Sequence, residues 1–142
     1  MVRVLVVDDF QPWHKFIASV LHSDSNYTVV AFASDGLEAI KLCREVRPEL
    51  IVMDINLPNC SGITAAEEIR RLLPHIEIVF FTRDVDHEFV QAALNLRAKG
   101  IVAKNDAHNL LRAVTTVMKG EQYLSEEVLR NFRSIDSGED AE

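Results

Sequence analysis

The apolar run Val2-Arg3-Val4-Leu5-Val6-Val7 stops abruptly at Asp8-Asp9, and the same event recurs along the chain: a short apolar run, a polar stop, then an amphipathic stretch. Phe16, Ile17, Val20 and Leu21 fall at helical spacing. Tyr27 to Ala33 reads as a second strand, and after the loop Ser34-Asp35-Gly36 the stretch Leu37 to Val46 reads as a helix stopped before Pro48. Leu50 to Met53 is a third strand ending in Asp54, and Pro58, Asn59, Ser61 and Gly62 mark a loop. Ala66, Ile69 and Leu73 define a third helix, ended by Pro74. Ile76 to Phe81 is a fourth strand ending in Thr82; Phe89, Ala93 and Leu96 give a fourth helix. Ile101 to Ala103 is a short fifth strand ending in Lys104, and Leu110, Leu111, Val114, Val117 and Met118 give a fifth helix, closed by Gly120. Strands alternating with helices in this way form βαβ units around a parallel sheet. Strands apolar on consecutive residues belong in a sheet covered on both faces. The expectation is an α/β, doubly wound, five-stranded parallel sheet with helices on both sides.

In such a sheet ligands bind at the carboxyl ends of the strands. Four of the five strands end there in a residue able to act on a ligand: Asp8-Asp9, Asp54, Thr82 and Lys104. An aspartate after a strand is ordinarily a turn or capping residue, and a lysine there is ordinarily solvated. Their convergence on one edge is what points to chemistry. Three carboxylates repel unless a cation joins them, and carboxylate oxygens with water and phosphate suit Mg2+. A carboxylate is also a nucleophile able to form an acyl phosphate, with a lysine and a hydroxyl to hold the phosphoryl oxygens. The set reads as a site for moving a phosphoryl group onto an aspartate.

Composition narrows the classes further. The 142 residues fit one domain, and 48% hydrophobic residues are enough for a core. The net charge is −7 and no basic run is present, which argues against direct contact with nucleic acid or an anionic membrane. No apolar run reaches membrane-spanning length, so the expected location is cytoplasmic. Cys43, at helical spacing from Ala39 and Val46, reads as a small buried hydrophobe; Cys60 lies in a turn-rich loop. His14, His22, His75, His87 and His108 are scattered and read as surface or packing residues.

Val4 to Asp9, Val52-Met53-Asp54-Ile55-Asn56-Leu57-Pro58 with Gly62, Phe80-Phe81-Thr82 and Ala103-Lys104 resemble the four signatures of response-regulator receiver domains, in that family's order and spacing over about residues 2–120. The resemblance implies a flavodoxin-like sheet of order 2-1-3-4-5. It implies Asp54 as phosphoacceptor, Asp9 and, through water, Asp8 as Mg2+ ligands together with Asp54 and the backbone carbonyl of Asn56. Thr82 and Lys104 take the phosphoryl-binding and switch roles, and Pro58 and Gly62 shape the loop after Asp54. The implied donor is a phosphohistidine on a sensor histidine kinase or histidine phosphotransfer protein. The implied activity is a signalling switch that catalyses its own phosphoryl transfer and dephosphorylation, and its output is a protein contact on a face from Asp84 to about Leu111.

Gly100 to Asp106 followed by Lys119 to Ser125 is similar to the receiver half of regulators with a LuxR-type helix-turn-helix. The expected division is a receiver over residues 1–122, then a short C-terminal helix and an acidic flexible tail over 123–142, with no DNA-binding domain. Ser125 is the expected N-cap of that helix, with Glu126 and Glu127 in its first turn and an end near Arg133; Ser134 to Glu142 is expected to fray. Two positions depart from the family pattern. Ile101 stands where an aromatic ring is common, so the inward-swinging ring is missing. Arg83 stands where a small residue is usual, either crowding the site or serving as an extra cation. Asn56 and Asp84 flank the expected site entrance and would tune hydrolysis. Trp13, in the first turn of the first helix, is read as structural or, if near the metal, as a fluorescent reporter. The competing classes are a phosphate-independent pseudo-receiver, a receiver fragment of a DNA-binding regulator, and a haloacid-dehalogenase-like phosphatase. The last lacks its usual second aspartate, because Asn56 stands two residues after Asp54.

Overall fold

The computed structural model describes residues 1–132. Six parallel strands are ordered β2-β1-β3-β4-β5-β6: β1 Val2–Val7, β2 Tyr27–Ala33, β3 Leu50–Met53, β4 Glu77–Thr82, β5 Gly100–Ala103 and β6 Tyr123–Leu124. Between them run α1 Gln11–His22, α2 Gly36–Val46, α3 Gly62–Leu72, α4 His87–Asn95 and α5 Leu110–Met118, with a 3-10 segment Lys104–Asn109 leading into α5. A further helical stretch covers 126–132.

Alternation along each strand divides the core in two. Leu5, Val7, Ile51, Met53, Ile78, Phe80 and Ile101 face α2, α3 and α4, meeting Ala39, Cys43, Ala65, Ala66, Ile69, Val90 and Ala93. Val4, Val6, Leu50, Val52, Val79, Phe81 and Val102 face α1 and α5, meeting Ile17, Leu21, Leu110, Val114 and Val117. Both faces are buried under helices, which is why the strands read as unbroken apolar runs. Burial pushes the Cys43 thiol up to about 12, in keeping with its expected packing role. The helices begin where the sequence supplies acceptors: Asp35 takes the Glu38 N–H, Ser61 the Thr64 N–H and Asp86 the Phe89 N–H. Gly120 ends the α5 region at φ +88, a backbone conformation that favours glycine.

The expected doubly wound sheet of order 2-1-3-4-5 is present, with one addition. The sheet has a sixth strand, paired to β5 through Gly100↔Tyr123 and Ile101↔Leu124. Two residues are too few to leave a period in the sequence. Val128, in the helical stretch after β6, is fully buried in the same core cluster as Phe80 and Ile101. Residues 123–132 are therefore part of the same folded unit. The expected fraying of residues 134–142 lies outside the described residues. Among the described residues no helix is long and apolar enough to cross a membrane.

Candidate functional site

A parallel sheet puts all its carboxyl ends on one edge, so β1, β3, β4 and β5 deliver Asp8, Asp54, Thr82 and Lys104 to one place. All four side chains are buried, which is costly for charged groups unless they find partners. Lys104 Nζ lies 2.8 Å from both Asp8 Oδ2 and Asp54 Oδ2. Asp9, at the exposed rim, completes a group of three carboxylates with one oxygen each within 4.8 Å of the others.

The two buried carboxylates are held differently. Asp54 Oδ1 accepts the Ile55 N–H at 2.7 Å and the Asn56 N–H at 3.4 Å, which leaves Oδ2 toward Lys104. Asp8 Oδ1 accepts the Phe10 N–H at 2.9 Å. Asp8 Oδ2 is at ion-pair distance from Lys104, yet among the described residues it is the buried side-chain oxygen without a well-aligned hydrogen bond. Burial pushes the Asp8 carboxyl above its ordinary value; Lys104 and the Phe10 N–H pull against this, and the charge of Asp54 adds to it. Hard oxygens, one of them unsatisfied, make a donor set that fits a divalent cation such as Mg2+.

Several neighbours fix this geometry. Gly62 passes so close to the loop after β3 that a Cβ there would sit 2.1 Å from the Asp54 carbonyl oxygen, while its N–H binds the Ile55 carbonyl at 2.7 Å. Only glycine allows that approach. The Pro58 carbonyl accepts the Cys60 N–H at 2.7 Å, tightening the same loop. His14, expected as a surface or packing residue, has Nε2 2.6 Å from the Asp8 carbonyl and 3.2 Å from that of Ala33. That nitrogen therefore donates, and it ties the end of β1 to the end of β2. Periodicity gave no signal for this, because it depends on which way the ring turns.

The Lys104 ammonium also lies over the Trp13 ring, 5.2 Å from its centroid, and Trp13 packs edge-on against Phe81 at 5.1 Å. Trp13 is thus both packed and at the site. A cavity of about 400 Å3 opens here between Asp9, Trp13, Asp54, Asn56, Arg83 and Lys104. A second, of about 410 Å3, shares Trp13, Arg83 and Lys104 and is closed on its far side by Asn105 and Glu127. Glu127 was not expected near the site.

Thr82 is fully buried and does not line either cavity; its Oγ1 accepts the Asp84 N–H at 3.0 Å. Asp84 is likewise absent from both cavity walls, whereas Asn56 and Arg83 line the first. Ile101 is buried, paired to Phe80 on one side and Leu124 on the other.

The response regulator receiver domain family matches residues 4–115. The chain belongs to the response-regulator receiver family. It is 31% identical over 134 residues to the response regulator VraR of Staphylococcus aureus, spanning 94% of this chain and 64% of that protein. It is 28% identical over 132 residues to the transcriptional regulatory protein DegU of Brevibacillus brevis, spanning 92% of this chain and 56% of that protein. This chain thus matches somewhat over half the length of these relatives. A LuxR-family two-component response regulator from Aurantimonas sp. superposes with a TM-score of 0.90 at 29% identity, covering 96% of this chain and 99% of that one. The isolated receiver of RcsB from Salmonella enterica, solved with the phosphomimetic BeF3−, superposes with a TM-score of 0.85 at 25% identity, covering 92% and 97%. Receiver domains are signalling switches of two-component systems, so the family rules against a small-molecule phosphatase. DegU is a transcriptional regulatory protein, so the relatives give no support to the expected absence of nucleic-acid contact.

Proposed function

We propose that this receiver accepts a phosphoryl group on Asp54 from a phosphohistidine of a sensor kinase or phosphotransfer protein, and that the modified state changes a protein-binding face. The observation that carries the reading is the presentation of Asp54. Two N–H groups hold Oδ1, and Oδ2 faces an ammonium at 2.8 Å in a cavity large enough for a phosphoryl group. Asp54 Oδ2 attacks phosphorus, the P–N bond breaks, and the leaving imidazole nitrogen keeps the electron pair and takes up a proton from water. Asp8, Asp9, Asp54 and the Asn56 carbonyl would hold Mg2+, which neutralises charge on the phosphoryl oxygens when bound. Lys104 transfers its contact from the free carboxylate to a phosphoryl oxygen. Thr82 gives up the Asp84 N–H and turns its hydroxyl toward the new group, which pulls the segment before α4. Hydrolysis of the acyl phosphate resets the switch, with Asn56 and Arg83 at the cavity wall controlling access of water.

The test is intact mass after incubation with acetyl phosphate, with and without Mg2+. The expected result is one Mg2+-dependent phosphoryl adduct in the parent and none in Asp54→Asn. A parent without adduct supports a phosphate-independent binding module instead.

A further inference from the structure

We propose that Ser125, outside the four receiver signatures, is a positioning residue for Lys104, so that the C-terminal segment is a working part of the phosphoryl site. The inference rests on the reading above, in which Lys104 holds the transferred group.

A lysine carries four flexible methylenes, and its ammonium is useful only if the backbone beneath it is fixed. Lys104 sits where β5 ends and the 3-10 segment begins, so regular pairing stops at its position. Ser125 takes over there. It is almost fully buried, and its N–H bonds to the Ile101 carbonyl at 3.0 Å, continuing the β6 ladder by one step. Its Oγ then accepts the N–H of Ala103, the residue before Lys104, at 2.9 Å. The same hydroxyl donates to Asp106 Oδ2, two residues after Lys104, at 2.9 Å. One side chain thus grips the chain on both sides of the lysine. Asp106 is held in turn by the Tyr123 hydroxyl at 3.1 Å and by Asn109 Nδ2 at 2.7 Å.

The expected helix-capping role does not compete with this. The helix of 126–132 starts on the Ser125 carbonyl, which accepts the Leu129 N–H, and no N–H of that helix takes the hydroxyl. Two further bonds tie the same segment to the site. Asn105 donates to Glu127 at 2.7 Å, and Asn131 donates to the Val85 carbonyl at 2.8 Å, three residues after Thr82. The segment therefore holds both the lysine strand and the threonine loop.

The test is Mg2+-dependent phosphorylation by acetyl phosphate in Ser125→Ala, Ser125→Thr and Val128→Ala. Ser125→Ala leaves the Ala103 N–H buried without an acceptor. The expected result is a rise in KM for acetyl phosphate of about tenfold, the scale of one buried hydrogen bond unmade, with a smaller change in the limiting rate. Ser125→Thr keeps the hydroxyl and is expected to restore the parent KM. Val128→Ala loosens the same segment by packing alone and is expected to lower Tm at the parent KM. Without metal or donor, hydrogen exchange at the Ala103 amide is expected to accelerate in Ser125→Ala and not in Ser125→Thr. If Ser125→Ala does not fold, Tyr123→Phe removes one donor to Asp106 and is expected to raise KM two- to threefold, on the order of a few tenths of the same hydrogen-bond scale. A parent KM in the alanine and phenylalanine variants overturns the inference alone, as does an equal KM rise in Val128→Ala. A parent that takes up no phosphoryl group overturns the reading beneath it as well.

Discussion

Asp8 meets the Lys104 ammonium and Asp106 lies two residues after Lys104 in the chain, and the two carboxylates are treated in opposite ways. Asp8 is buried with one oxygen lacking an aligned donor and with a second carboxylate beside it, and its carboxyl is pushed up by burial. Burial also pushes the Asp106 carboxyl up, but donors from Asn109, Ser125 and Tyr123, with His108 nearby, outweigh it, and the net shift is down. One carboxylate is left in need of positive charge, and the other is fully answered by the protein. The difference separates a place built to receive something from a place built to stay put.

The largest break in this comparison comes from removing Lys104. Lys104→Met leaves Asp8 and Asp54 buried without their cation, and unfolding in urea is expected to show a loss of about 3–5 kcal/mol. Mg2+ should recover most of that loss, because it can take the place of the ammonium. Asp106→Asn attacks the other side. Its cost is expected at about 1–3 kcal/mol, and Mg2+ should leave that cost unchanged. Recovery of both variants by Mg2+ would erase the distinction.

The smallest effect is in pH. Because the Asp106 carboxyl is lowered from 3.8, its contribution is present above that value and is lost as pH falls through the lower folded value. The stability gap between parent and Asp106→Asn should therefore narrow on acidification. Because the Asp8 carboxyl is raised from 3.8, it favours the folded state below that value, and the gain disappears as pH rises through the raised one. Asp8→Asn should gain on the parent as pH rises through that region. Urea melts of the three proteins from acid to neutral pH measure both trends.

The acid side was legible in the sequence, and the other side was not. Asp8, Asp54, Thr82 and Lys104 each end an apolar run, and a parallel sheet sends all such ends to one edge, so local pattern sufficed. In the sequence Asp106 only ends a stretch similar to LuxR-type receivers and has no role of its own, because the partners that define it, Tyr123 and Ser125, lie 17 and 19 residues away. Ser125 looked like a helix cap because its neighbours Glu126 and Glu127 suit a first turn, and only tertiary packing redirects its hydroxyl. β6 has two residues, too few to alternate visibly, and Val128 and Leu129 form too short an apolar pair to show a period. His14 and Trp13 belong to a helix whose period gave their face but not the direction of their polar atoms.

The parallel pairing of β6 has a consequence for how copies of this protein can meet. A sheet with two bare edges can add neighbours on both sides and so grow without limit. Here the β5 edge is closed by a two-residue strand that turns at once into helix, whereas β2 runs seven residues along the opposite margin. Among the described residues the longer open margin is therefore that of β2, seven residues against the two of β6.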